Sequence, residues 1–184
     1  MTSISGSVPD TPPPPGLALE DADLWDAAVS LLRRTYRSGR HEVAAAVRTR
    51  SSGIHVGVHM AGSAGRTSIC AEGMALGAVL AATPPELSLA DEIDTVLAVL
   101  HRPGIGMRIV SACGVCRELL FDYCPEAWNY VHRFPDDAPP PGTPEAVYLP
   151  ETGRGIREVP ALAPGSAERL RVRELMPAKN VRSW

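Results

Sequence analysis

The chain has 184 residues, of which 45% are hydrophobic and only 5% aromatic, and its formal net charge is −3. This length fits one domain with a substantial core, while the acidic balance and the scarcity of aromatic residues disfavour a nucleic-acid-binding protein. The chain contains no run of 18 apolar residues, so no membrane span is predicted. The N-terminus lacks the basic and apolar regions of a secretory signal, so a cytoplasmic location is expected.

The N-terminal stretch contains four consecutive prolines, in the sequence TPPPPG. Proline lacks a backbone N–H and has a fixed φ angle, so such a run forms neither a helix nor a central strand. Residues 1–20 are therefore predicted to be a disordered Pro-rich leader, and residues 21–184 a single domain. Residues 23–37 place apolar side chains on one face and predict a helix, with Asp21 or Asp23 as its cap.

Two short stretches with β-strand composition follow, residues 42–49 and 53–60, and the RSSG sequence between them predicts a β-hairpin. The Gly/Ser-rich residues 60–68 predict a loop. A helix is then predicted from Cys70 to about Ala82, because a run of small and apolar residues ends there before two prolines.

The second half of the chain begins with a predicted buried strand at residues 94–101 and a helix at residues 113–123. Residues 126–134 are interpreted as a further strand, residues 151–170 mostly as loop, and residues 171–177 as one helical turn. Helices and strands alternate along this order. That pattern is typical of a mixed α/β fold in which helices cover a sheet.

Four cysteines in a reducing compartment are more typical of metal ligands or buried thiols than of disulfides. Cys113 and Cys116 form a C-x-x-C motif at a predicted helix start, where both thiolates can bind one ion and the helix N-terminus favours their charge. Cys70, also at a predicted helix start, is the natural third ligand. Cys124 lies at the far end of its helix, about 15 Å away at 1.5 Å per residue, and is predicted to be a buried thiol.

Glu72 follows Cys70 by two residues, which is too close for it to be a comfortable additional ligand. A carboxylate at this position can take a proton from a zinc-activated water and deliver it to a ring nitrogen and then to departing ammonia. This is the chemistry of hydrolytic deamination. In the alternative interpretation, Cys70 is a core thiol and the C-x-x-C motif a redox pair, which leaves Cys70 and Glu72 unexplained.

The sequences CAEGMALGAVLAA and SACGVCRELL resemble the two zinc helices of the cytidine deaminase superfamily, in particular the small nucleoside deaminases and blasticidin-S deaminase. EVAAAVRTRSSGIHVGVHM resembles the first hairpin of that family, and VRELMP its C-terminal motif. The resemblance covers residues 24–177. It implies a three-layer α/β fold with a mixed five-stranded sheet flanked by helices, and a homo-oligomer, usually a tetramer.

The resemblance also implies a zinc site formed by Cys70, Cys113 and Cys116, with Glu72 as the acid/base. In addition, it implies substrate contacts from the backbone of Ala71 and Ser111 and from the side chain of His59. Two departures from the family pattern stand out. Ala61 replaces a glutamate that binds ribose hydroxyls, which disfavours ordinary cytidine, and Ala112 replaces a proline while leaving the backbone carbonyl of Ser111 available.

These observations predict a zinc-dependent deaminase acting on a cytidine-like nucleoside, a nucleoside antibiotic or another small aminated heterocycle. The alternative is a catalytically silent protein of the same fold, whose zinc is structural and which acts as a binding or scaffold module. Neither hypothesis includes a nucleic-acid or membrane partner. His101 and His132 are expected to face solvent.

Overall fold

A computed structural model describes residues 8, 10–64, 67–102, 106–133, 147–148, 157–158, 166–177 and 179. The helices are α1 (Ala22–Thr35), α2 (Ala71–Ala82), the short α3 (Leu89–Glu92) and α4 (Gly114–Tyr123). The strands are β1 (Val43–Thr49), β2 (Gly53–Val58), β3 (Ile93–Arg102), β4 (Gly106–Ile109), β5 (Trp128–Arg133), β6 (Val147–Tyr148), β7 (Arg157–Glu158) and β8 (Ser166–Arg171). Short 3₁₀ helices lie at Leu19–Asp21 and Val172–Leu175.

The central sheet has six strands. Five follow the order β2–β1–β3–β5–β8, and β4 pairs with β3. β3 and β5 are parallel, whereas the other pairs within this sheet are antiparallel. The prediction of a mixed sheet flanked by helices is confirmed, with six strands instead of five. The described part of β6 and β7 forms a separate antiparallel pair.

Helices cover both faces of this sheet, as the alternation along β1 shows. Ala44 and Ala46 face a core cluster built with α1, whereas Ala45 and Val47 face a second cluster built with α2 and α4. All four side chains are fully buried. Small residues at the centre of the sheet allow helices to approach from both sides, which produces the three layers.

Gly57 fixes the position of α2 against the sheet. A Cβ atom at this residue would lie 2.3 Å from the backbone nitrogen of Ala75 and 2.5 Å from the carbonyl oxygen of Ala71. Only glycine therefore allows the helix backbone to pack directly on β2. This close contact determines where the first turn of α2, and with it Cys70 and Glu72, lies.

The predicted loop at residues 151–170 is wrong for its last part, because Ser166–Arg171 forms strand β8. β8 pairs with the edge of β5, and the guanidinium groups of Arg169 and Arg171 lie 4.7 and 3.6 Å from the ring centre of Trp128. Its sequence, SAERLR, has little β-propensity, so pairing and stacking with β5 stabilise the strand. The helical turn predicted at residues 171–177 is confirmed by the 3₁₀ helix that follows β8.

The described part of the Pro-rich segment is packed on the domain, in contrast to the disordered leader expected from sequence. The indole nitrogen of Trp25 donates to the Thr11 carbonyl at 3.3 Å, and the Ala167 amide donates to the Pro15 carbonyl at 2.8 Å. Proline carbonyls remain available as acceptors, which explains how this segment attaches. Residues 1–7 and 9 lie outside the described residues, and the division of the chain at residue 20 stays a prediction.

Two histidines expected at the surface are partly or fully enclosed. His101 is buried, and its ring lies 4.7 Å from the Tyr36 ring in an edge-to-face contact. His132 is half-buried next to Ser111, whose hydroxyl accepts a hydrogen bond from the His132 amide at 3.1 Å. Among the described helices, none is long and apolar enough to cross a membrane.

Candidate active site

Three thiols predicted as metal ligands come together where α2 and α4 begin. The sulfur atoms of Cys70, Cys113 and Cys116 all lie within 4.8 Å of one another, and the first two are 3.7 Å apart. Cys70 and Cys113 are the N-cap residues of their helices, both in extended conformation, and Cys116 follows in the first turn of α4. Cys70 and Cys113, which are far apart in sequence, thus lie close together because the N-termini of α2 and α4 share one end of the sheet.

The protonation of these thiols reflects burial opposed by hydrogen bonds. Burial raises the pKa of Cys116, and the neighbouring charges of Glu72 and Cys70 act in the same direction. Burial also raises the pKa of Cys70. For Cys113, burial acts upward, but hydrogen bonds to the Cys116 amide and to neighbouring groups lower its pKa overall. The amides at the start of α4 therefore stabilise a thiolate at Cys113.

Glu72 lies in the first turn of α2 and is only 6% exposed. Burial raises the pKa of its carboxyl group, while hydrogen bonds to its own backbone amide and to Cys116, and the charge of His59, act in the opposite direction. No lysine or arginine among the described residues forms an ion pair with it. A buried carboxylate without a cationic partner is rare in structural positions and typical of functional sites.

A cavity of about 240 Å³ opens beside the thiols. Cys70, Cys113 and Glu72 line it, as do the predicted substrate contacts Ala71 and Ser111. The structure therefore places these residues around one enclosure, and their individual roles stay predictions.

His59, the remaining predicted contact, lines the same cavity just after the end of β2. Its backbone amide donates to the Val43 carbonyl at 2.8 Å, and its carbonyl contacts the His41 ring at 2.9 Å. Its Nδ1 atom is buried and has no hydrogen-bond partner among the described residues. The backbone is thus fixed while the ring retains a free polar atom beside Glu72, as expected of a ligand contact.

Ala112, the residue in the position of the family proline, is 2% exposed at the turn before α4. The Arg117 side chain donates from Nε to the Ala112 carbonyl at 2.8 Å, which holds the turn in place of a proline ring. Cys124 is fully buried at the other end of α4, as predicted, and burial raises its pKa to about 12.

Two charged residues that line the cavity, Glu42 and Arg102, were not predicted from the sequence. They lie at the start of β1 and the end of β3, and their side chains form an ion pair with 3.0 Å between Oε2 and Nε. Both also line a second cavity of about 670 Å³, which includes Ala61 and continues outward from His59. The only sequence signal is opposite charge at the ends of two strands, and it has meaning only once the register of β1 and β3 is known.

Comparison with known proteins agrees with this geometry. No protein-family model matches the chain. The blasticidin-S deaminase of Bacillus cereus is 32% identical over 119 residues, which cover 62% of this chain and 81% of that protein. The chain belongs to the cytidine deaminase superfamily.

Solved structures of superfamily members share the fold. The cytidine deaminase of Burkholderia pseudomallei superposes with a TM-score of 0.56 at 16% identity, covering 88% of this chain and 98% of that chain. The cytidine deaminase of Bacillus anthracis gives 0.52 at 19% identity, covering 87% and 89%. At these identities the comparison establishes the architecture alone.

The donor set fits the zinc ion that superfamily members usually bind. Thiolates bind zinc at about 2.3 Å, so two of them around a tetrahedral ion lie about 3.8 Å apart. The Cys70 and Cys113 sulfurs are already 3.7 Å apart. Three protein thiols leave one tetrahedral position open, the arrangement typical of catalytic zinc and not of structural zinc.

Proposed function

We propose that this protein is a zinc-dependent hydrolytic deaminase. It would replace the exocyclic amino group of a cytidine-like nucleoside, a nucleoside antibiotic or another small aminated heterocycle with oxygen, and release ammonia. The observation that carries the proposal is a cluster of three thiols beside a cavity that two of them, Cys70 and Cys113, line together with the buried carboxylate of Glu72. Its membership of the superfamily, with a blasticidin-S deaminase as relative, supports the same reaction class.

In this proposal Cys70, Cys113 and Cys116 hold the ion, which when bound supplies Lewis-acid activation of the attacking water. Glu72 takes a proton from that water and transfers it to the ring nitrogen next to the amino carbon. A second transfer through Glu72 protonates the amino group, which leaves as ammonia while the carbon keeps the oxygen. Water and amine are thus exchanged with no net proton consumed.

The remaining residues would hold the ring. The backbone of Ala71 and Ser111 lies on the cavity wall next to the thiols, where it would contact the amino group before it leaves. Here the Ser111 hydroxyl accepts a hydrogen bond from the His132 amide, which connects this wall to β5. His59, with its free Nδ1 atom, would contact the substrate on the side away from α4. A rigid, mostly apolar pocket with a few polar groups is typical of small-molecule sites.

We also propose that the protein acts as a homo-oligomer, tetramer or dimer, in the cytoplasm. Support for the homo-oligomer comes from α2, whose apolar residues are not confined to its buried side. Leu80 is 55% exposed, and Gly77, Ala81 and Ala82 next to it are exposed as well. An apolar helix face of this kind is typical of a surface covered by another subunit.

The test measures ammonia release by the zinc-loaded full-length chain. The panel contains cytidine, deoxycytidine, cytosine, blasticidin S, a pterin and an aminopurine. At least one of them is expected to be deaminated. Glu72→Ala is expected to bind one zinc ion per chain and to release no ammonia, whereas Glu86→Ala, at an exposed loop residue, serves as the matched control.

Two results would contradict the proposal. A zinc-loaded wild-type chain that deaminates no panel member would favour the silent scaffold. Loss of zinc from Glu72→Ala, measured by metal analysis, would mean that Glu72 maintains the site and does not transfer protons.

A further inference from the structure

Arg102 lines both the cavity beside the thiols, called the inner cavity below, and the larger second cavity, called the outer cavity. It is the last residue of β3 and its side chain is 30% exposed. Glu42 and His59 line both cavities as well. A ligand that fills both spaces must therefore pass this guanidinium group.

The guanidinium is oriented through its inner nitrogen. Its Nε atom donates to Oε2 of Glu42 at 3.0 Å, and the other carboxylate oxygen of Glu42 accepts a hydrogen bond from the Gly39 amide at 2.7 Å. Glu42 is only 13% exposed, so it is a fixed anchor with both oxygens engaged. In the described part of the chain, no acceptor contacts the two terminal amino groups of Arg102.

Terminal amino groups held in this way match the geometry of a carboxylate or a phosphate. Arginine binds such anions through two parallel N–H···O bonds, and prior orientation reduces the entropy lost on binding. A neutral hydroxyl can use only one of these donors well. These donors, which contact no acceptor among the described residues, thus favour a ligand with two acceptor oxygens on one atom.

The charge around Arg102 favours an anion as well. Arg108, across the β3–β4 pair and displaced by two residues, projects from the same face of the sheet. Burial lowers the pKa of Arg108, and the positive charge of Arg102 acts in the same direction. Among the described residues, no carboxylate pairs with Arg108. Arg108 lines a neighbouring cavity and neither of the two described above, so it adds positive charge near Arg102 without lining the proposed ligand space.

The inner end of the site has the opposite character. Its thiols and Glu72 make it electron-rich, so an anionic group is disfavoured beside them. A substrate with one anionic substituent would therefore bind with its ring inside and that substituent toward Arg102. The charge distribution provides orientation as well as affinity.

We propose that Arg102 is a specificity residue that binds an anionic group, carboxylate or phosphate, on the substituent beyond the aminated ring, and that Glu42 positions it. This inference rests on the proposed deaminase function and names the class of substrate. The outer cavity, about 670 Å³ against about 240 Å³ inside, has room for a substituent larger than the ring itself. Ala61 on its wall leaves this space open.

The experiment compares matched ligands that differ in one group. The substrates are cytidine, cytidine 5′-phosphate and the 5′-carboxylate of cytidine. The zinc-loaded full-length chain, Arg102→Gln and Arg102→Lys are compared by kcat/KM. The same proteins bind the corresponding uridine products in calorimetry, a readout that requires no turnover. Arg50→Gln, an arginine with a 67% exposed side chain at the other end of β1, is the control.

At least one anionic ligand is expected to be favoured over its neutral counterpart by about 10- to 100-fold, as for hydrogen bonds to charged groups. Arg102→Gln should lose that preference, Arg102→Lys should retain part of it, and Arg50→Gln all of it. The favoured ligand shows whether the anionic group that Arg102 binds is a phosphate or a carboxylate. Glu42→Gln should raise KM for the anionic substrate more than it lowers kcat, because the guanidinium is then less well oriented.

Equal binding of neutral and anionic ligands, or a preference that survives in Arg102→Gln, would overturn the inference. Thermal unfolding of each variant establishes that it is folded, and Arg102→Lys retains the charge should the glutamine variant unfold. If no substrate is deaminated, the proposed function fails, but product binding still tests the role of Arg102 independently.

Discussion

Two buried carboxylates lie on opposite faces of the sheet, and their surroundings differ. Asp21, beside α1, is fully buried and accepts a hydrogen bond from the Tyr130 hydroxyl at 2.6 Å. It also forms ion pairs with Arg48 and, at 3.2 Å, with Arg169. Glu72, in the first turn of α2, is almost as buried, but it contacts the Cys116 thiol and forms no ion pair with a lysine or arginine among the described residues.

Removing a carboxylate from water costs several kcal/mol unless charges and hydrogen bonds compensate. Around Asp21 the compensation is complete, and the groups that provide it come from three separate elements. It therefore stabilises the contact of the N-terminal segment with β1, β5 and β8. Around Glu72 the compensation is only partial, since burial still raises the pKa of its carboxyl group despite the hydrogen bonds to its own amide and to Cys116 and the charge of His59, so the fold maintains an energetically costly group. Such a cost is typical of a catalytic position.

The largest expected effect follows from replacing Glu72 by its neutral isostere. Glu72→Gln should lower kcat by about 10²- to 10⁴-fold, the usual contribution of general acid–base catalysis, because an amide cannot transfer the proton. Its stability should not fall, since a buried charge without a cation is removed. Ammonia release and thermal unfolding, measured with and without zinc, check both parts.

A Glu72→Gln variant that remains active would show that another group moves the proton. A variant that unfolds more easily would show that Glu72 is compensated after all, in which case the two carboxylates are alike.

Neutralising Asp21, the buried carboxylate on the other face of the sheet, should have the opposite effect: a loss of stability with little change in activity. Asp21→Asn leaves Arg48 and Arg169 without their shared charge, and should lower the free energy of unfolding by about 3 kcal/mol, the low end for broken buried ion pairs. The activity per folded molecule should change little. Denaturant unfolding and kcat measured on the folded fraction test this pair of expectations.

Asp10→Asn provides the control, because Asp10 pairs with Arg33 but is 98% exposed and its loss should cost less than about 1 kcal/mol. Equal losses for Asp10→Asn and Asp21→Asn would mean that burial does not set the strength of the Asp21 pairs.

The chemistry of the site was more predictable from the sequence than its shape. Cys70, Glu72 and the C-x-x-C motif each lie at a helix start, and a helix start is encoded locally by the point where an apolar run begins, as a helix end is by the prolines that follow it. The three longer helices were predictable for the same reason and the first hairpin from its turn sequence, whereas the short helix α3 was not predicted. Gly57 has no sequence signal of this kind, because its role depends on the backbone of α2 crossing directly above it.

What the sequence concealed depends on contacts between distant residues. Asp21 was predicted as a possible helix cap, yet its side chain makes no capping bond and binds Tyr130, 109 residues away. Strand β8 has a polar sequence and forms because β5 offers an open edge. The pairing of Glu42 with Arg102 likewise requires the register of β1 and β3. Local patterns do not contain such information.

The smallest expected effect concerns the hydroxyl group of Tyr130. Tyr130→Phe removes a hydrogen bond to a charged acceptor, and should lower the free energy of unfolding at pH 8 by about 1.5 kcal/mol. Asp21 keeps both arginines in this variant, so the loss should be about half that of Asp21→Asn. Denaturant unfolding of the two variants side by side measures the ratio.

The same variant has a pH signature that distinguishes it from a simple packing change. Burial, with the hydrogen bond to Asp21 second, raises the pKa of Tyr130 to about 12, whereas an unfolded tyrosine ionises near pH 10. Between about pH 10 and 12 the unfolded chain therefore loses a proton that the folded chain retains. The contribution of Tyr130 to the free energy of unfolding is thus constant below pH 10 and falls above it. Tyr130→Phe should flatten this part of the decline. If wild type and variant lose stability in parallel from pH 10 to 12, the phenol of Tyr130 is not held protonated beside Asp21. The contrast with Glu72, whose burial is only partly compensated, is then weaker than the geometry indicates.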